Sequence, residues 1–128
     1  IEERIEEREE WIMLFVCYPK CTTCQKAKKW LTEKGISFEE RDIKTENPTK
    51  EELDAWYKKS GLPLKRFFNT SGILYKEMKL KDRLPEMTED EQLTLLSTDG
   101  MLVKRPILIS DEQVLVGFKE KEWETLKA

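Results

Sequence analysis

The sequence predicts an α/β domain in which a βαβ unit, a helical insert and a ββα unit build one four-stranded mixed sheet with helices on both faces. Three observations carry this. An unbroken apolar run, Met13-Leu14-Phe15-Val16-Cys17, leads through turn residues into a helical pattern and then an alternating segment. The middle of the chain is punctuated by helix start and stop signals. The end returns to short apolar runs, Pro106-Ile107-Leu108-Ile109 and "QVLVGF", before a closing helix through Trp123 and Leu126.

Each element has a local reason. "MLFVC" is apolar at every position, as a central strand covered on both faces must be. Tyr18-Pro19-Lys20 supplies turn chemistry, and a helix from Thr22 to about Lys34 places Ala27, Trp30 and Leu31 on one face, with Gly35 just past its end. "ISFEERDI" alternates apolar and polar residues and reads as a less buried strand parallel to the first, joined by a right-handed crossover. In the insert, Thr49 and Glu52 form the capping-box pattern of a helix closed by Gly61, and Thr88 and Glu91 repeat it ahead of Leu93, Leu95 and Leu96. "LPLKRFFNTSG" between them reads as a helical turn ending in a Ser-Gly loop. Ser110-Asp111-Glu112 turns the last two strands into a hairpin. This order of elements is the thioredoxin or glutaredoxin arrangement.

Residues 1–12 read as a separate charged extension, since Glu occupies six of the first ten positions and Arg two more. The domain is expected over 13–128, with Met13 a natural start. A chain of 128 residues with 38% hydrophobic and 38% charged residues is the size of one domain with a dense surface charge. A net charge of −3 gives no sign of direct nucleic-acid binding. No apolar run is long enough for a membrane span, and the acidic start lacks a signal-peptide core, so the expected location is the cytoplasm. The absence of His excludes every scheme built on Ser-His, Cys-His or His-zinc chemistry.

The chemistry concentrates in "CYPKCTTC", which holds all three cysteines of the chain. In a reducing compartment a close Cys pair points to redox catalysis or metal binding rather than to a structural staple. The spacing C-x3-C-x2-C also matches the iron–sulfur cradle of enzymes that cleave S-adenosylmethionine. Thr23 stands where those motifs carry an aromatic, however, and three thiolates without His lack a fourth zinc ligand. The redox reading places Cys21 at the start of the first helix, where unpaired N–H groups and the helix dipole stabilise a thiolate, aided by Lys20 and Lys26. Cys24 falls one turn later on the same side, within reach to resolve a mixed disulfide. Cys17 is expected to pack in the sheet as a small hydrophobe, away from Cys24. Thr22 and Thr23 are candidate substrate contacts, and no metal or organic cofactor is expected.

"KRPILI" puts Pro106 directly before a strand antiparallel to the first, the place where thioredoxin-like folds carry a cis proline facing the redox pair. With "YPKCTTCQKAKKWLTEKGI", "RDIKTENPTKEEL", "GLPLKRFFNTSG" and "KRPILISDEQVLVGF", the chain from Met13 to Lys127 resembles the arsenate-reductase-like family, which includes the Spx transcriptional regulators. The resemblance implies that Cys21 attacks an oxyanion or another oxidised substrate and that Arg105 steadies the anion. The family's second arginine falls on Lys65, with Arg66 adjacent, and its third falls near Gly117, where the sequence offers no charge. Asn69 and Thr70 are further cleft candidates. The resemblance favours a thiol-dependent reductase, recharged by a thioredoxin, a glutaredoxin or a small thiol. Its Spx branch implies instead a redox-sensing regulator that binds the C-terminal domain of the RNA polymerase alpha subunit.

Overall fold

The computed structural model describes residues 12–126; the charged stretch read as an N-terminal extension lies, except for Ile12, outside the described residues. Four strands form one sheet in the order β2-β1-β3-β4. β1 (Met13–Cys17) pairs parallel with β2 (Phe38–Asp42) and antiparallel with β3 (Ile107–Ile109), and β3 pairs antiparallel with β4 (Val114–Val116). This is the mixed thioredoxin-like sheet expected from the sequence. The strands are shorter than the sequence reading: β2 starts at Phe38 rather than Ile36, and β4 stops at Val116, because Gly117 turns the chain at φ 77°.

Helix α1 (Thr22–Glu33) covers one face and α2 (Lys50–Ser60) the other. The two-residue period of β1 decides what each face receives. Met13, Phe15 and Cys17 join Cys24, Ala27, Trp30 and Leu31 of α1 in one core, while Val16 packs with Leu53 and Trp56 of α2 in the other. The first core is aromatic. Trp123, in the closing helical turn α6 (Glu120–Trp123), meets Phe118 at 5.0 Å, Trp30 at 6.0 Å and Phe15 at 6.4 Å between ring centroids.

Both expected capping boxes form, at Thr49–Glu52 for α2 and Thr88–Glu91 for α5 (Glu89–Leu96). Two short helices went unread in the sequence, α3 (Ile73–Glu77) and α4 (Leu80–Arg83). Each is about one turn, too short for an amphipathic period to register, and Lys79 at φ 53° separates them. Their buried anchors are Tyr75 and Leu80.

The insert is tied back to the sheet by its backbone. A 3-10 turn, Leu64–Phe67, is followed by an isolated antiparallel bridge between Phe68 and Val103. Lys104 N–H donates to Phe67 O at 2.8 Å, and Asn69 N–H donates to Leu102 O at 2.8 Å. A second turn, Gly100–Leu102, packs so closely on the Ile43 carbonyl that no side chain fits at Gly100. These links bring Arg66 and Asn69 beside Lys104 and Arg105. Among the described residues no helix is long and apolar enough to cross a membrane.

Candidate functional site

Cys21 occupies the N-cap of α1 with extended backbone (φ −84°, ψ 121°). Its N–H donates to Tyr18 O at 2.9 Å, which closes the Tyr18-Pro19-Lys20 turn, and its carbonyl accepts the first helical bond from Gln25 N–H. The Gln25 side chain also donates to Pro19 O at 3.0 Å, bracing the turn from the helix side. The local sequence therefore leaves the Cys21 side chain half-buried at the open end of the helix.

Cys24 lies behind it, 2% exposed, and its Sγ accepts the Tyr18 N–H at 3.3 Å. Cys17 is also 2% exposed. Cys17 and Cys24 belong to the same buried core, and Cys21 packs against its edge. The Cys17 hydrogen bond, followed by burial, pushes the Cys24 thiol well above its ordinary range, and the Tyr18 amide only partly offsets this. Here the structure corrects the sequence reading. Cys17 does pack in the sheet, but it is not held away from Cys24, because β1 turns Cys17 toward the face on which α1 places Cys24. Among the described residues no group of three or more Cys, Asp or Glu is arranged to hold a metal ion.

In front of Cys21 opens a groove of about 880 Å³. Arg66, Lys104, Arg105 and Lys119 supply four cations to its wall, and among the described residues no carboxylate lines it. Thr23, Asn69 and Ser71 add polar groups, whereas Ile73, Met101 and Phe118 give one side an apolar surface. Ile73 is 74% exposed, unusual for a large aliphatic residue and placed on the groove rim. The Arg105 guanidinium sits over the Tyr18 ring at 5.4 Å, and its Nη1 donates to Met101 O at 3.3 Å and Val103 O at 3.4 Å. That holds the fork in place with its other N–H groups left for a ligand. The Arg105–Pro106 bond is cis, and the buried Pro106 accepts from Gly117 N–H through its carbonyl at 2.8 Å.

The remaining sequence candidates separate clearly. Arg66, Asn69 and Thr23 line the groove; Lys65, Thr22, Thr70, Lys20 and Lys26 do not. Lys65 instead borders a different hollow with Tyr57, Tyr75 and Glu89, since adjacent residues of a 3-10 turn point in different directions. The position near Gly117 is not without charge. Lys104 Cε passes 3.4 Å from where a Gly117 side chain would begin, and Lys119 stands two residues on. Lys104 and Lys119 were missed because their role depends on strand and loop geometry; the only local signal was the adjacency of Lys104 to Arg105-Pro106.

The ArsC family model matches residues 17–126 of this chain, a span that starts at Cys17 and includes both the cysteine turn and the Arg105–Pro106 segment. The chain belongs to the ArsC family. It is 57% identical over 112 residues to the uncharacterized protein YusI of Bacillus subtilis, an alignment covering 88% of this chain and 95% of that one. A solved ArsC family related protein from Bacteroides fragilis superposes with a TM-score of 0.89 at 58% identity, covering 92% of this chain and 99% of the other. The regulatory protein MgsR of Bacillus subtilis is 34% identical over 110 residues, 86% of each chain. The relatives of this ArsC family chain thus include a protein described as regulatory.

Proposed function

We propose that this ArsC family protein is a thiol–disulfide oxidoreductase acting on an anionic oxidised substrate. The observation that carries the reading is the pairing of a half-exposed Cys21, at a helix N-cap and facing a four-cation groove, with a buried Cys24 behind it. In a disulfide substrate, the Cys21 thiolate attacks one sulfur and a mixed disulfide forms as the substrate's S–S bond breaks. The released thiolate develops its charge beside Arg66, Lys104 and Arg105. Cys24 then gives up its proton and attacks Cys21 Sγ, releasing the second thiol and leaving a Cys21–Cys24 disulfide. The elevated Cys24 thiol suits this order, because it keeps Cys24 protonated while Cys21 attacks. An external thiol donor restores the dithiol. An oxyanion such as arsenate would meet the same cations and the same nucleophile.

A turnover assay with arsenate and with small anionic disulfides, each with thioredoxin, glutaredoxin or glutathione as donor, tests this. Loss of turnover in Cys21→Ser supports the reading, and turnover that survives Cys21→Ser with every donor refutes it. The resemblance to the regulatory protein MgsR, and at 33% identity to the global transcriptional regulator Spx of Enterococcus faecalis, favours a second reading, a redox-sensing regulator whose partner would be the RNA polymerase alpha subunit. Binding of the isolated alpha C-terminal domain to the reduced and the oxidised protein separates the two; no binding in either state removes the regulator.

A further inference from the structure

The proposed mechanism employs two thiols, yet the structure gathers three. Met13, Phe15 and Cys17 share the α1 face of β1, so the Cys17 side chain enters the core that also holds Cys24, with Cys21 at its edge. Cys17 and Cys24 are each 2% exposed, so both thiols are sealed in the same core. Cys17 has a further partner of its own. Its Sγ donates to the Glu40 carboxylate at 3.7 Å, and that carboxylate is paired with Lys28 Nζ at 2.8 Å. Glu40 and Cys17 meet because the parallel β1–β2 register sets Glu40 opposite Phe15, one pleat before Cys17 on the same face. A buried thiol facing a carboxylate, and beside the thiol that ends each redox cycle in a disulfide, has chemistry open to it.

We propose that Cys17 is a third redox thiol, which exchanges with the Cys21–Cys24 disulfide to form Cys17–Cys24 and return Cys21 free to the groove. The inference rests on the proposed function, which supplies the Cys21–Cys24 disulfide. Glu40 accepts the Cys17 proton, and the Cys17 thiolate attacks Cys24 Sγ. The Cys17–Cys24 bond forms while the Cys21–Cys24 bond breaks, and the electron pair leaves on Cys21, which becomes a thiolate at the helix N-cap beside the groove cations. No electrons enter or leave, so the step needs no outside reductant or oxidant. Its effect is to store the oxidising equivalent inside the sheet–helix core while the attacking thiol is exposed again. A donor would then have to reach a buried disulfide, or the exchange would have to run backwards to present Cys21–Cys24 at the surface.

The sequence provides a direct readout. Trypsin cleaves after Arg8, Lys20 and Lys26, so Cys17 falls in peptide 9–20 while Cys21 and Cys24 share peptide 21–26. The protein is oxidised with oxidised glutathione, quenched in acid, alkylated, digested and mapped by mass spectrometry. The expected product is a crosslink between the two peptides with the alkyl label on Cys21. Cys21→Ser is expected to form no crosslink, because the exchange starts from the Cys21–Cys24 disulfide, and Cys17→Ala to form only the internal Cys21–Cys24 loop. Glu40→Gln is expected to slow conversion of the internal loop to the crosslink by about tenfold or more while leaving formation of the loop unchanged. If wild type and Cys17→Ala both stop at the internal loop, the third thiol is refuted and the two-thiol mechanism stands. If Cys17→Ala, folded by circular dichroism, forms no internal loop, the two-thiol mechanism itself fails. Equal conversion rates in Glu40→Gln and wild type would remove the carboxylate from the step.

Discussion

Two tryptophans packed edge to face in the same core offer a controlled test of what holds the groove wall in place. Trp123 and Trp30 rings lie 6.0 Å apart and nearly perpendicular. Trp123 Nε1 donates to Gly117 O at 2.9 Å, in a buried bond that ties α6 to the loop contributing Gly117, Phe118 and Lys119 to the groove. Trp30 Nε1 is equally buried but has no hydrogen-bond partner among the described residues. Replacing either by Phe removes a similar slice of apolar surface, about 1 kcal/mol of burial. Trp123→Phe additionally strands the Gly117 carbonyl, which costs about 1–3 kcal/mol. Trp30→Phe instead removes a stranded donor, so its net cost is expected near zero to about 1 kcal/mol. Trp123→Phe should therefore lower stability by about 2–4 kcal/mol, a fall in melting temperature of about 6–20 °C for a domain of this size. The assay is thermal and urea unfolding of both variants, with KM for an anionic substrate as a second readout of the groove wall. Equal destabilisation by the two substitutions, or a larger effect at Trp30, would refute the hydrogen-bond argument.

Other predictions follow from single observations. Arg41 grips Glu52 with two bonds of 2.6 and 2.9 Å, and this, ahead of the Thr49 amide, holds the Glu52 carboxyl below its ordinary value. Its contribution is present above the unfolded carboxylate pKa and is lost as pH falls through the lower folded value, so acid should destabilise wild type more steeply than Glu52→Gln between about pH 5 and pH 3. Gly100→Ala places a Cβ inside the Ile43 backbone carbonyl, with no flexible side chain to yield, and should cost about 3 kcal/mol or more in urea unfolding. Cys17→Ala removes the largest cause of the raised Cys24 thiol, so Cys24 should ionise at lower pH, as read by ultraviolet thiolate absorbance in a Cys21→Ser background. Arg66→Met and Lys104→Met should each raise KM for an anionic substrate by about tenfold with a smaller effect of added salt than in wild type, whereas Lys65→Met should leave KM unchanged.

The local signals along the chain were sufficient for the sheet, the main helices and the position of the CxxC pair. An all-apolar β1, two capping boxes, glycines past the ends of α1 and α2, and a CxxC after a strand are each decided within a few residues, so they can be read without knowing the fold. Arg105-Pro106 could be attached to that site because a strand antiparallel to β1 must bring its first residues to the end of β1 where the cysteines lie. Helices α3 and α4 left no trace, since one turn of helix is held by Tyr75 and Leu80 burying against distant partners and not by any period of its own.

What only the tertiary structure decided is which neighbours the cysteines have. Arg66 rather than Lys65 reaches the groove because a backbone bridge between Phe68 and Val103 fixes the orientation of a 3-10 turn. Lys104 and Lys119 become part of the site through a left-handed turn at Gly117, and Cys17 meets Cys24 because a strand alternates faces every residue. Charge and thiol chemistry reside in residue types, which the sequence states outright. Their combination into a site depends on distances between residues far apart in the chain, and those arise only when sheet register, helix packing and backbone bridges are satisfied together.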